Sequence, residues 1–260
     1  MLPLLQIGPF TLRTPGLALL GGLWLGLEMA SREGVRRGID GDRIYALGLY
    51  TILAGAAGAR LAFVLVNLGM YLHLSPWTQA IGAILAPAGG TEIAWIGALS
   101  ALGVAVFLAR RWKLPLLVLV DAFAPGIAVC AIGIGLANLL SGDYYGVETS
   151  APWGIEMGAA RRQPTQVLFV LTAIAIFFIL RRLGRDPAAR DPGFLGQVLL
   201  VALSLAILLI EPLREDSPVV GTSGIRIWQV IALSGLVAGL ATFALRAPAA
   251  ATAATPEEKT

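Results

Sequence analysis

Residues 138–146 read Asn-Leu-Leu-Ser-Gly-Asp-Tyr-Tyr-Gly, directly after an apolar run from Pro115 to Leu140. An amide, a carboxylate and two phenols thus stand where a membrane-length segment should leave the lipid. Polar side chains at that depth are costly unless they face protein or water, which makes Asn138 and Asp143 candidate functional groups. Gly142 and Gly146 flank the acid and favour a tight loop that a ligand can approach closely. The plainer alternative is that these residues only end the helix.

Three further groups carry chemistry. Arg161-Arg162-Gln163-Pro164-Thr165-Gln166 puts two adjacent cations before an apolar segment, suited to a lipid phosphate or to anchoring by snorkelling. Glu211-Pro212-Leu213-Arg214-Glu215-Asp216 follows another such segment, as part of a site or as a solvated loop, and Arg226 and Gln229 open the last one. Arg60 lies inside an apolar segment behind Gly55, Gly58 and small alanines that permit close helix packing. Its planar fork suits a carboxylate or a phosphate. An ion pair with Asp121 is the alternative, and depth disfavours it, because the two positions differ by roughly 15 Å at 1.5 Å rise per residue.

Segments of about 20 apolar residues must position these groups. They run approximately over 12–30, 44–68, 93–109, 115–140, 167–180, 194–212 and 226–246, which predicts an all-α integral membrane protein of about seven spans. Pro76 to Gly90 is apolar but broken by Pro and Gly, and reads as a re-entrant or interfacial helix. Arg32, Arg36, Arg37, Arg43, Arg110, Arg111, Lys113, Arg181, Arg182, Arg185 and Arg190 fall in loops on one side, with Arg246 and Lys259 in the tail. Cytoplasmic loops carry that excess, so the N-terminus is expected outside and the C-terminus inside. Residues 1–246 form one membrane domain in this reading, and 247–260 a disordered cytoplasmic tail.

Composition agrees. The chain of 260 residues is 57% hydrophobic and 13% charged, where soluble domains carry about 25% charged residues. The excess of base over acid follows the inter-span loops, so a membrane accounts for it and nucleic acid is not expected. A single cysteine, Cys130, rules out an internal disulfide and reads as a small buried hydrophobe. One histidine, His73, cannot build a histidine metal cluster, and no cofactor is expected. The first ten residues lack the basic flank and cleavage site of a signal peptide. No internal repeat is visible, which disfavours a transporter of duplicated halves.

In the order of its landmarks the sequence resembles the bacterial prolipoprotein diacylglyceryl transferases. The landmarks are Ile7-Gly8-Pro9, Gly58-Ala59-Arg60-Leu61, Ala109-Arg110-Arg111, Asp121 with Ala124-Pro125, the stretch from Asn138 to Gly146, Gln163-Pro164-Thr165-Gln166, Glu211 with Arg214, and Gln229. The resemblance implies a multi-pass enzyme of the bacterial inner membrane. It would move the diacylglyceryl group of phosphatidylglycerol onto the cysteine thiol of a prolipoprotein signal peptide. It further implies Asp143, Arg214 and Asn138 as catalytic residues, and Arg60, Arg162, Gln166, Glu211 and Gln229 as substrate-binding ones. The chain departs from the pattern where the signature arginine falls on Gly135 and a candidate proton-transfer histidine falls on Trp95. Those departures leave a second expectation open, a non-catalytic relative serving as a lipid-binding or assembly subunit.

Overall fold

The computed structural model describes residues 4–7, 10–73, 76–85, 94–157, 160–187, 191–219 and 224–246. Helices dominate: α1 (Thr14–Arg36), α2 (Gly41–Val66), α3 (Leu68–Leu72), α4 (Trp77–Leu85), α5 (Ala94–Arg111), α6 (Leu116–Ser141), α7 (Thr165–Leu183), α8 (Phe194–Ile210) and α9 (Ile227–Arg246). Five are long and apolar enough to cross a membrane: α2, α6, α7, α9, and α8 together with the 3-10 turn that follows it. α1 and α5 occupy the other two expected positions, α1 with Glu28, Arg32, Glu33 and Arg36 in its second half. α4 has nine residues, about 13 Å, and is too short to span. The part of that segment beyond Leu85 lies outside the described residues, as do Gly8, Pro9, Glu92, Arg190 and the tail 247–260.

The helical fold expected from the sequence stands, with two short antiparallel hairpins added to it: β1 (Leu4–Ile7) with β2 (Phe10–Arg13), and β3 (Ile155–Met157) with β4 (Ala160–Arg162). Each precedes a long helix, α1 or α7, at the end opposite the basic loops. Strands this short leave no apolar alternation to read, which is why periodicity missed them.

α6 is the axis of the bundle, packed against α1, α7 and α8, while α5 lies on α2 and α9 on α8. The α1–α6 seam is set by glycine. A Cβ on Gly22 would stand 2.7 Å from the Gly133 Cα, so only glycine lets these backbones approach so closely. Small and branched residues fill the two cores: Ala30, Ile44, Leu47 and Ala122 where α1 and α2 meet α6, and Ala124, Ile176, Leu180 and Leu195 around α6, α7 and α8. The outside is apolar as well. Leu61, Leu65, Phe107, Phe178, Leu209 and Leu240 are exposed, a surface matched to lipid.

At the basic end a buried ionic network fastens α1 to α6, α7 and α8. Asp121 is wholly buried and accepts from the Gly193 and Gly196 N–H groups (2.7 and 3.0 Å) and from Arg37 Nη1 (3.0 Å). Arg37 and Arg36 also hold the buried Glu33, and Arg36 donates to the Gly184 and Arg185 carbonyls. The partner of Asp121 is therefore Arg37, not Arg60, in line with the depth argument.

Candidate functional site

α6 ends as a helix with a glycine stop should. Gly142 takes a left-handed conformation (φ 86°) and its N–H bonds the Asn138 carbonyl at 2.9 Å. The chain then threads between two other segments. On one side, Val147 N–H donates to the Leu213 carbonyl and Glu215 N–H to the Tyr145 carbonyl. On the other, Thr165 Oγ1 donates to the Tyr144 carbonyl (2.6 Å) and Gln166 Nε2 to the Asp143 carbonyl (2.9 Å). Three stretches distant in sequence thus share one set of hydrogen bonds. Tyr144, between them, sits at φ 61°, a conformation L residues seldom adopt and one the surrounding bonds hold in place.

Beneath this threaded loop is a cavity of about 170 Å³ between α6, α7, α8 and α9. Asn138, Tyr144, Gln166, Glu211, Arg214 and Trp228 supply its polar and aromatic wall, and Ile134, Gly135 and Phe169 part of its apolar remainder. Arg214 is buried. Its Nη1 bonds both oxygens of Glu211 (3.1 and 2.9 Å), and its Nε and Nη2 bond Asp216 Oδ1 (3.2 and 2.9 Å). The Tyr144 ring covers one guanidinium face with its centroid 3.9 Å away, and Asp216 Oδ2 takes the Tyr144 N–H (2.8 Å). Glu211, also buried, accepts from Ser217 Oγ as well. One of the five guanidinium hydrogens stays uncommitted among the described residues.

The remaining candidates divide. Asp143 lies beside the cavity, its carboxylate accepting from Ser141 Oγ at 2.7 Å. Arg162 is tied to Glu215, Glu148 and the Gly146 carbonyl and rests over the Tyr145 ring, so it braces the loop rather than lining the cavity. Gln229 accepts the Arg226 N–H at 3.0 Å, capping the start of α9. Arg60 is elsewhere: it donates to the Ile84 carbonyl at 2.7 Å, to the Ala83 carbonyl and to Tyr71, and so binds the C-terminal carbonyls of α4.

Ser217 and Trp228 were not anticipated, and Tyr144, Thr165 and Asp216 stood within the candidate stretches without a role of their own. The hydroxyls and the ring matter through a fold contact that no local spacing announces. Gly135, where the family pattern has its arginine, lines the cavity. A Cβ there would meet Val170 Cγ2 at 2.6 Å and Phe169 Cδ1 at 3.0 Å, so the wall has closed over that position. Trp95 is exposed on α5 and takes no part in the cavity lining.

An apolar helical bundle with a buried, charge-paired cavity at one end of its axis defines a polytopic membrane protein with an internal polar site. The chain belongs to the prolipoprotein diacylglyceryl transferase family, whose sequence profile matches residues 3–245. It is similar to the phosphatidylglycerol–prolipoprotein diacylglyceryl transferase of Thermosynechococcus vestitus, at 29% identity over 249 residues covering 90% of this chain and 88% of the relative. The protein of the same name from Parasynechococcus marenigrum is 31% identical over 258 residues, covering 91% and 90%. That from Mycobacterium avium is 30% identical over 206 residues, or 75% of this chain and 40% of the relative.

Proposed function

We propose that this protein transfers the diacylglyceryl group of phosphatidylglycerol to the cysteine thiol of a prolipoprotein signal peptide in a bacterial inner membrane. The observation that carries the reading is the buried Arg214, held by Glu211 and Asp216 on the wall of a cavity shared with Asn138 and Gln166, in a chain of this family. Sulfur bonds to the glyceryl carbon bearing the phosphate ester, that C–O bond breaks, and glycerol phosphate leaves with the electron pair. The uncommitted N–H of Arg214 stabilises charge growing on the departing phosphate, an interaction that strengthens toward the transition state. The thiol proton passes to a carboxylate, for which Asp143 is suited because it bonds the Ser141 hydroxyl and, among the described residues, no guanidinium. A thiol with pKa about 8.5 needs such help at neutral pH. Seven spans with the N-terminus outside put this cavity at the outer leaflet, with residues 1–246 as one domain and 247–260 as a cytoplasmic tail.

The test is complementation. The chain is expressed in a strain depleted of its own transferase, and lipidation of a reporter prolipoprotein is followed. Lipidation that disappears with Arg214→Ala is the expected result; none from the wild-type chain despite confirmed insertion overturns the reading. One observation favours a non-catalytic alternative, the side chains of Val170 and Phe169 packed where an arginine at position 135 would have to emerge.

A further inference from the structure

Two carboxamides on the cavity wall have hydrogen-bonding capacity that the fold leaves unused. Gln166 is almost wholly buried, and its Oε1 has no donor among the described residues. Its orientation is fixed: the atom 2.9 Å from the Asp143 carbonyl has to be the NH₂ group, because two carbonyl oxygens cannot bond each other. The free atom is therefore an acceptor. Asn138, one helix away on the same wall, makes no side-chain hydrogen bond among the described residues. A buried acceptor without a partner is destabilising, and natural structures retain one where something else satisfies it.

The charges nearby narrow the occupant. Arg214 is compensated by Glu211 and Asp216, so the cavity wall as a whole offers amide and carboxylate oxygens more than free cations. Oxygen acceptors call for O–H or N–H donors.

We infer that Gln166 is a specificity-determining residue, whose Oε1, assisted by the Asn138 amide, accepts a hydrogen bond from a hydroxyl of the lipid headgroup. The inference rests on the proposed function for the identity of that lipid, and adds to it the means by which a polyol headgroup is told from another anionic phosphodiester. A headgroup of equal charge and size but without hydroxyls enters the cavity and leaves Oε1 unpaired. Sites built to bond a substrate hydroxyl discriminate strongly against analogues that lack it, whereas apolar pockets discriminate weakly.

The experiment sets phosphatidylglycerol against phosphatidylpropanol, which keeps the phosphodiester charge and three-carbon length and loses both hydroxyls. The purified full chain is placed in nanodiscs of a neutral carrier lipid. Affinity for each anionic lipid is measured, and separately transfer from each to a prolipoprotein peptide. Wild-type protein should bind phosphatidylglycerol at least about tenfold more tightly. Gln166→Met, which keeps length and removes the acceptor, should bring the two affinities together, and Asn138→Ala should narrow the ratio partway. Equal binding of both lipids by the wild type overturns the inference without any variant, as does a ratio that Gln166→Met leaves unchanged. Transfer from neither lipid, with the binding preference intact, would end the transferase reading and keep this one; transfer with no preference in binding would do the reverse.

Discussion

Arg214 lies with its guanidinium 3.9 Å from the centroid of the Tyr144 ring, and the two are also joined through Asp216, which bonds the side chain of one and the N–H of the other. The cation cannot move without disturbing the loop, and the loop cannot open without uncovering the cation. Replacing Tyr144 with Ala should lower transfer by more than it lowers stability, because Arg214 keeps both carboxylates but loses the ring that fixes its plane. A cation–π contact between a buried cation and a partly exposed ring is worth about 1–2 kcal/mol, so the expected loss in turnover is roughly fivefold to thirtyfold. Lipidation rate and thermal unfolding measured on the same preparation separate the two effects.

Arg214→Ala should both abolish transfer and destabilise the protein. It leaves Glu211 buried without its cation, a change that costs about 3–5 kcal/mol in comparable buried pairs. The double variant with Glu211→Gln should regain most of the stability and none of the activity. A thermal midpoint in detergent that does not rise in the double variant would contradict the pairing.

Asp121 gives the converse pattern. Asp121→Asn weakens the tie to Arg37 and the bonds to Gly193 and Gly196 at the basic end, away from the cavity. Unfolding should come at lower temperature, while transfer per folded molecule stays near wild type. Measuring activity against the folded fraction checks this.

Gly133→Leu should be among the most damaging single changes in the bundle, since a Cβ at that position already stands 2.6 Å from the Gly22 Cα. Overpacking typically costs about 1–3 kcal/mol, and here backbone rather than a side chain has to give way. The yield of monodisperse protein after extraction is the direct readout.

Arg60→Gln discriminates between two roles for that arginine. In the structure it holds the end of α4, so the substitution should loosen the 77–85 segment to proteolysis and reduce transfer less than Arg214→Ala does. A reduction equal to that of Arg214→Ala would instead place Arg60 on the substrate.

The long helices were legible because a hydrophobic run near 20 residues has little use outside a bilayer, and the apolar surface bears this out. Asn138, Gln166, Glu211 and Arg214 were legible as polar groups at the ends of such runs, and the fold brings all four to one cavity. What the residues could not reveal was partnership. Arg60 and Arg162 look alike in sequence to Arg214, as cations beside apolar segments, yet one ends bound to helix carbonyls and another to surface carboxylates. Those outcomes depend on α4 and on the loop around Glu148 and Glu215, whose positions are set by tertiary packing. The hairpins escaped notice for a different reason: three or four residues per strand carry no period.

The spacing of Glu211 and Arg214, three residues apart, has a meaning for how the protein is made. Their opposite charges meet within a single turn of chain, before any helix has found its neighbour. On the proposed topology this segment has to be carried through the hydrocarbon during insertion. It would make that passage with the arginine already paired to an acid, sparing the translocation machinery an isolated cation and delivering it to the far side with its counter-ion attached.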